Sequence, residues 1–253
     1  MSTSEDNFSL VDAAEGLNEI RNNLKRNGYA LINQVGLTQL SGVSKESLGA
    51  IEPTWNELPN DRYLKDGGHY RRRRHASFVL DKSQFTLHPH RAHWQPVSYN
   101  ALHGGLERWY EPLQQNVANS PSLTSIALWL YEVVAPLSAH KKWFGEAHQF
   151  RIDTTGGIGR PTPEGAHRDG VDWVAVILVK RKNIKGGETR VFEADGPTGF
   201  RFQMMEPWTV LLMDDKRVIH ETTPIQPTTD VGYRDTLVLT LRGDGFLEEK
   251  SPN

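Results

Sequence analysis

A mainly β fold with helices packed against it (α+β) is what the sequence predicts, and three features carry that reading. Segments 147–153, 173–180, 189–193, 200–204, 209–213, 217–221 and 236–242 are short and rich in Val, Ile, Thr and aromatic residues. Glycine or proline separates most of them, at Gly156–Gly157, Gly186–Gly187, Gly196–Pro197, Pro207 and Pro224, the punctuation of a β-sandwich or small barrel. Clear helical periodicity ends by residue 134, and strands do not alternate with helices, which argues against a doubly wound sheet.

In chain order, Leu10, Ala14, Leu17, Ile20 and Leu24 recur at helical spacing and predict a helix from Leu10 to about Asn27. Ser9 is its cap candidate, Lys25 and Arg26 suit its last turn, and Gly28 suits its stop. Tyr29 to Ile32 reads as a short strand. Between Pro53 and Pro96 the pattern weakens into a polar stretch rich in Arg, His and aromatics, a composition of functional surface rather than core. A second helix runs from Pro121 to Val134, with Ser120 as cap and Pro121 at the first helical position. Its buried stripe is Leu123, Ile126, Ala127, Leu130 and Val134, and Pro136 ends it. Gly186–Gly187 is expected to make a hairpin turn, and Met204–Met205 to lie in the core. No repeat or linker is visible. The reading is one domain over 1–253, with 1–60 as N-terminal helical support and about 70–245 as the β region, into which the helix near 121–134 is inserted.

Composition narrows the function classes. The 253 residues can bury a core without cross-links. Lys plus Arg is 29 against 31 Asp plus Glu, a net charge of −2 that speaks against a nucleic-acid partner. The absence of Cys excludes disulfide scaffolds, thiolate zinc sites, iron–sulfur clusters and a cysteine nucleophile, and leaves ten His as ligands. No apolar run approaches the ~18 residues of a membrane span. The acidic start MSTSEDNFSLVDAAEG does not read as a signal peptide. These features suggest a cytoplasmic protein. No interface stripe indicates an oligomeric state.

The chemistry concentrates in Pro163-Glu164-Gly165-Ala166-His167-Arg168-Asp169-Gly170. Residues two apart in an extended chain share a face, so His167 and Asp169 can converge on one ion. His220, ending Arg217-Val218-Ile219-His220, is the best third ligand. Two imidazoles and one carboxylate suit a borderline divalent metal, and on a β scaffold they form the facial triad of non-haem Fe(II) oxygenases. A zinc hydrolase could share the ligands, but would have no use for Arg234-Asp235-Thr236. Arg234 and Thr236 share a face and form a natural carboxylate clamp. A triad plus a clamp implies a dicarboxylate co-substrate such as 2-oxoglutarate.

On these residues the chain resembles the Fe(II)/2-oxoglutarate-dependent dioxygenases, and more narrowly the bacterial subgroup typified by L-isoleucine 4-hydroxylase. The matching strings are YNALHGGLERWYEPL (99–113), HQFRI (148–152), PEGAHRDGVDWVAVILVKRKNIKGGETRVF (163–192), HETTPI (220–225) and GYRDTLVLTL (232–241). The resemblance implies a double-stranded β-helix (jelly-roll, cupin-like) core. It implies a requirement for Fe(II), 2-oxoglutarate and O2, helped by ascorbate, with succinate and CO2 as co-products. It also implies hydroxylation of a free L-amino acid with an aliphatic or thioether side chain. A peptide, a modified amino acid or a natural-product intermediate is the alternative substrate. A non-enzymatic jelly roll that binds a small acid or metal is the alternative class.

The remaining polar residues are open to two readings each. Gln149 and Arg151 share a face of HQFRI and either could touch 2-oxoglutarate or the substrate, or simply make a polar sheet face. In the run Arg71–Arg74, alternate arginines would face inward. Arg74, ahead of Arg72, is then the candidate for the substrate carboxylate, against a solvated edge. Glu164 and Asp172 flank the ligand motif and could accept from a substrate ammonium. Tyr99 could line the entrance. His88, His90 and His93 read as a surface loop or lid, with a second metal site as the alternative. Gly170 is expected to permit close approach beside the ligands.

Overall fold

The computed structural model describes residues 16–248 apart from 83, 100, 101 and 103. Ser9 and the first turns of the expected N-terminal helix lie outside the described residues. The helices are α1 (Gly16–Asn27), α2 (Gln34–Ser41), α3 (Lys45–Ile51), α4 (Gln115–Ala118) and α5 (Pro121–Val134). The strands are β1 (Tyr29–Ile32), β2 (Arg71–Asp81), β3 (Gln84–Leu87), β4 (Lys142–Asp153), β5 (Trp173–Lys182), β6 (Ile184–Gly186), β7 (Thr189–Glu193), β8 (Gly199–Phe202), β9 (Val210–Asp214), β10 (Val218–Thr222), β11 (Ile225–Pro227) and β12 (Tyr233–Arg242).

Seven strands form an antiparallel sheet in the order β1-β9-β5-β12-β4-β2-β3. A smaller sheet, β10-β7-β8, and the pair β11-β6 lie against it in a double-stranded β-helix. Strand alternation sorts the core into two layers. Ala175, Ile177, Val179, Leu237, Leu239 and Leu241 face the helices and join the core cluster that holds Ile20, Leu37, Leu48 and Leu130. Val174, Val176, Leu178 and Val238 point the other way, where they meet Val191 and Val218 of the smaller sheet.

The predicted stripe of α5 is fully buried, and Trp129 and Val133 are buried as well. The helix is sandwiched between the large sheet and α1–α3, so more than one face is covered. Its Ser120 side chain accepts from the Leu123 N–H at 3.1 Å, the cap the sequence called for. Trp55, in the 3₁₀ turn Glu52–Glu57, is wholly buried, and its indole N–H is shared between the carbonyls of Phe150 (3.1 Å) and Thr236 (3.2 Å). It thereby pins the helical layer to β4 and β12, the two strands that carry the inner polar wall described below.

Three sequence expectations need correcting. Gly186 and Gly187 do not close a hairpin. Both have positive φ (79° and 71°), and they kink one strand so that β6 pairs with β11 while β7 pairs with β10. Only Met204 is core; Met205 is exposed. The stretch from Pro53 to Pro96 holds the long strand β2, whose inward residues Arg71, Arg73, His75 and Ser77 are buried polar groups. A polar inner face hides the period-2 hydrophobic signal. No described helix is long and apolar enough to cross a membrane.

Candidate active site

The space between the sheets is a cavity of about 990 Å³, counting its open mouth. One face of β4 supplies Glu146, His148, Phe150 and Ile152 to its wall. The neighbouring face of β12 supplies Arg234, Thr236, Val238 and Thr240, each registered against one of them.

His167, Asp169 and His220 meet at this cavity. His167 and His220 pair through their backbones, N–H to carbonyl in both directions, at 3.0 and 2.9 Å. Their rings lie 4.7 Å apart. Asp169 Oδ1 is 3.9 Å from His167 Nε2, and its Oδ2 is 3.9 Å from His220 Nε2. One ligand atom from each residue falls within 4.8 Å of the others. His167 Nδ1 donates to the Gly165 carbonyl at 2.9 Å, which leaves the Nε2 lone pair facing Asp169. Burial opposes charge on His167, but Asp169 and Glu164 outweigh it and its pKa is raised. Burial and the neighbouring His167 hold His220 well below its ordinary value, hence neutral. Two imidazole nitrogens and a carboxylate oxygen, open on the cavity side, fit a six-coordinate divalent metal such as iron.

The loop behind the triad is held by Asp215. Its Oδ1 accepts from the Asp169 N–H (3.0 Å), and its Oδ2 from those of Gly170 (2.8 Å) and Val171 (3.1 Å). Gly170 has φ of +80°, and a Cβ there would lie 2.5 Å from the Tyr99 ring, so only glycine fits. Gln95 reaches the same loop from the segment between β3 and α4. Its Nε2 donates to both the carbonyl and Oδ1 of Asp169, at 3.3 Å each.

Arg234 is 4% exposed on the cavity wall, and its Nη2 is buried without a hydrogen-bond partner. Burial, with Arg181 nearby, pulls its pKa down to about 10. The adjacent Asp235 points to the opposite face, where Arg151 holds it at 2.7 Å through both Nε and Nη2. A buried guanidinium aimed into a cavity without a carboxylate is a site awaiting an anion. Thr236 stands beside it on the same wall.

A family model for the 2OG-Fe dioxygenases matches residues 52–240. The chain belongs to the 2OG-Fe dioxygenase family. It is an enzyme that uses Fe(II), 2-oxoglutarate and O2. A solved bsmA homologue from Methylobium petroleophilum is 48% identical, with a TM-score of 0.89 over 97% of this chain and 98% of that one. IDO from Bacillus thuringiensis shares the fold at 18% identity and a TM-score of 0.73, over 90% of this chain and all of that one. The Fe(II)/α-ketoglutarate-dependent dioxygenase TqaL does so at 19% identity and 0.69, over 91% and 87%. A search of curated proteins gave no match.

Several residues expected in this dioxygenase's pocket lie elsewhere. Gln149 is wholly buried on the helix side of β4, where its Nε2 donates to Thr54 Oγ1 at 2.9 Å. Arg151 shares that face and is taken by Asp235. Arg74 turns outward and donates to the Pro112 carbonyl at 3.0 Å. Arg71 and Arg73 face inward instead, because β2 registers them against Ile152 and Phe150. Tyr99 and Asp172 border a separate cleft behind the loop that carries Asp169, where Asp172 accepts from the Gly243 N–H at 2.7 Å and pairs with Lys216. Glu164 does line the main cavity, 3.5 Å from His167 Nε2, with Oε2 buried and unpartnered.

His93 is not on a surface loop. It is buried with His75, His148 and Glu146. Glu146 accepts from His93 Nδ1 at 2.6 Å and from Arg91 at 3.1 Å, while Arg73 donates to His148 Nδ1 at 2.7 Å. Two guanidiniums bonded directly into this group make it a hydrogen-bonded wall rather than a cation site. Burial is the main cause that lowers both histidines, His93 to about 4 and His148 well below the usual imidazole range. The unfolded chain therefore takes up protons near pH 6.5 that the folded one refuses. Stability is expected to fall as pH drops from about 6.5 towards 4. His93→Asn should flatten that slope by up to one proton, about 1.4 kcal/mol per pH unit, as denaturant melts across the pH range would measure.

Proposed function

We propose that His167, Asp169 and His220 hold Fe(II), that Arg234 with Thr236 takes the distal carboxylate of 2-oxoglutarate, and that the enzyme hydroxylates a free L-amino acid with an aliphatic or thioether side chain. 2-Oxoglutarate leaves as succinate and CO2. The chain then works as one catalytic domain in the cytoplasm, within the subgroup typified by L-isoleucine 4-hydroxylase. One conjunction supports the site assignment: the open side of the triad and the unpartnered Arg234 line the same cavity. Bound iron and 2-oxoglutarate supply the oxidising power that activates an unreactive C–H bond.

The chain's own residues position and shield. Asp215 fixes the backbone that carries Asp169 and so sets the direction of that carboxylate. Phe150, Ile152, Val176 and Val238 give the cavity an apolar stretch that suits a hydrocarbon side chain and excludes water. Asp215→Ala strands three N–H groups and should weaken Fe(II) binding about 10- to 100-fold, the range for outer-shell partners of a metal ligand, as an anaerobic Fe(II) titration would read. Incubation with Fe(II), ascorbate, 2-oxoglutarate and each of the twenty amino acids in turn tests the substrate. Expected is a gain of one oxygen by an aliphatic or thioether amino acid, matched by succinate. Oxygen gain only by a peptide or other larger compound would overturn the amino-acid reading.

A further inference from the structure

The cavity carries a second set of buried cations besides Arg234. Arg71, Arg73 and Arg108 line it and are 6%, 5% and 2% exposed. Arg71 is neutralised by Asp61, with Nε 2.7 Å from Oδ2. Arg73 has no such partner. The one carboxylate in ion-pair range among the described residues is the same Asp61, at 3.9 Å, beyond hydrogen-bonding distance. The faces of its guanidinium are covered by Tyr110 at 3.7 Å and Phe150 at 4.2 Å, and its Nη2 donates to His148 Nδ1 at 2.7 Å, so only the rest of its edge can meet a ligand. Burial pulls its pKa down to about 10. Arg108 forms no ion pair with a described residue. Its Nη2 donates to the neutral Gln95 Oε1 at 2.9 Å. The Nε atoms of Arg73 and Arg108 are both buried without partners.

The acids on the wall do not answer this demand. Glu146 is engaged by Arg91 and His93. Glu164 stands at the metal side, beside His167. Two buried guanidiniums on one cavity, neither with a carboxylate of its own, are costly unless an anion arrives with the ligand. Gln95 adds a connection. It accepts from Arg108 and donates to Asp169, so one amide spans the cationic wall and the metal triad.

We infer that Arg73 and Arg108 form a second anion clamp, which takes the carboxylate of the substrate, and that Gln95 couples its occupancy to the metal site. This rests on the proposed function and deepens it. The substrate is a small carboxylate held on the β2 side of the cavity, across β4 from the 2-oxoglutarate clamp, with its reactive carbon turned to the triad. Amides and amines lacking that carboxylate are excluded. Gln95 is a positioning residue: an anion on Arg108 changes the dipole that Gln95 presents to Asp169.

The test uses protein loaded with Fe(II) and 2-oxoglutarate without oxygen. Calorimetry scores the twenty amino acids, each beside its primary amide and its decarboxylated amine. At least one carboxylate is expected to bind, with its amide and amine at least about 10-fold weaker. Arg73→Gln and Arg108→Gln should each weaken it by about 10- to 100-fold, the scale of a charge-assisted hydrogen bond. Both should leave the 2-oxoglutarate titration midpoint within about twofold. Arg108→Lys, which keeps the charge and loses the fork, should fall between and guards against misfolding. In Gln95→Leu the carboxylate should still bind, but its addition should no longer shift the visible charge-transfer band of the iron–2-oxoglutarate complex.

The clamp is overturned if no carboxylate binds, if an amide or amine binds equally well, or if the glutamine variants bind like the parent. A full band shift in Gln95→Leu overturns the coupling. Absence of the band in the parent would count against the proposed metal site instead, and calorimetry on metal-free protein would still score the clamp.

Discussion

Asp169→Ala is expected to reduce 2-oxoglutarate turnover more than about 1000-fold, since a metal supplies several kcal/mol and each 1.36 kcal/mol is a decade in rate. Asp169 contributes the one carboxylate of the triad and stands within 3.9 Å of both imidazole Nε2 atoms. Without it two imidazoles remain, too few ligands and no anionic one, a set that holds a ferrous ion weakly. The fold should survive, because Asp169 is on a loop whose backbone Asp215 secures. Succinate release and an anaerobic Fe(II) titration would show the loss. Retained turnover in a protein with intact circular dichroism would remove Asp169 from the iron.

Arg234→Ala carries the second large effect, and it separates binding from stability. Losing a buried charge-assisted pair should raise the 2-oxoglutarate concentration for half-maximal turnover by about 100-fold, roughly 3 kcal/mol. In the protein without 2-oxoglutarate the sign reverses. Arg234 is then a buried cation whose Nη2 has no partner, with its pKa pulled down to about 10 by burial. Removing it should leave the unliganded melting temperature unchanged or higher. The stabilisation that 2-oxoglutarate gives the parent, which follows occupancy, should vanish. A variant melting well below the parent with normal 2-oxoglutarate affinity would make Arg234 a structural residue.

The β core was legible because its inward and outward residues differ in kind. β5 opens on a continuous apolar run (173–179), β12 carries Leu237, Val238 and Leu239 at its middle, and β7 and β9 follow glycine or proline. β2 was obscured by the same rule, since its buried face is Arg71, Arg73, His75 and Ser77. At the site, spacing paired His167 with Asp169 and Arg234 with Thr236 as sharers of a face. Spacing does not say which face looks inward. For Arg74, Gln149 and Arg151 the choice of phase was wrong by one residue, and one residue flips a whole strand. The phase of β4 follows from tertiary contacts: Gln149 finds Thr54 and Arg151 finds Asp235 on the helix side. Arg108 and Gln95 were not singled out, and His93 was read only as part of a surface loop or lid, because all three come from the irregular segment between β3 and α4, which has no period to read.

One iron ion is expected among His167, Asp169 and His220. Crystals grown anaerobically with Fe(II) and 2-oxoglutarate, measured at the iron absorption edge, test it directly. Expected is one anomalous peak bounded by those three side chains, with 2-oxoglutarate reaching from it to Arg234. A peak among His75, His93, Glu146 and His148, or none at the triad, would contradict it.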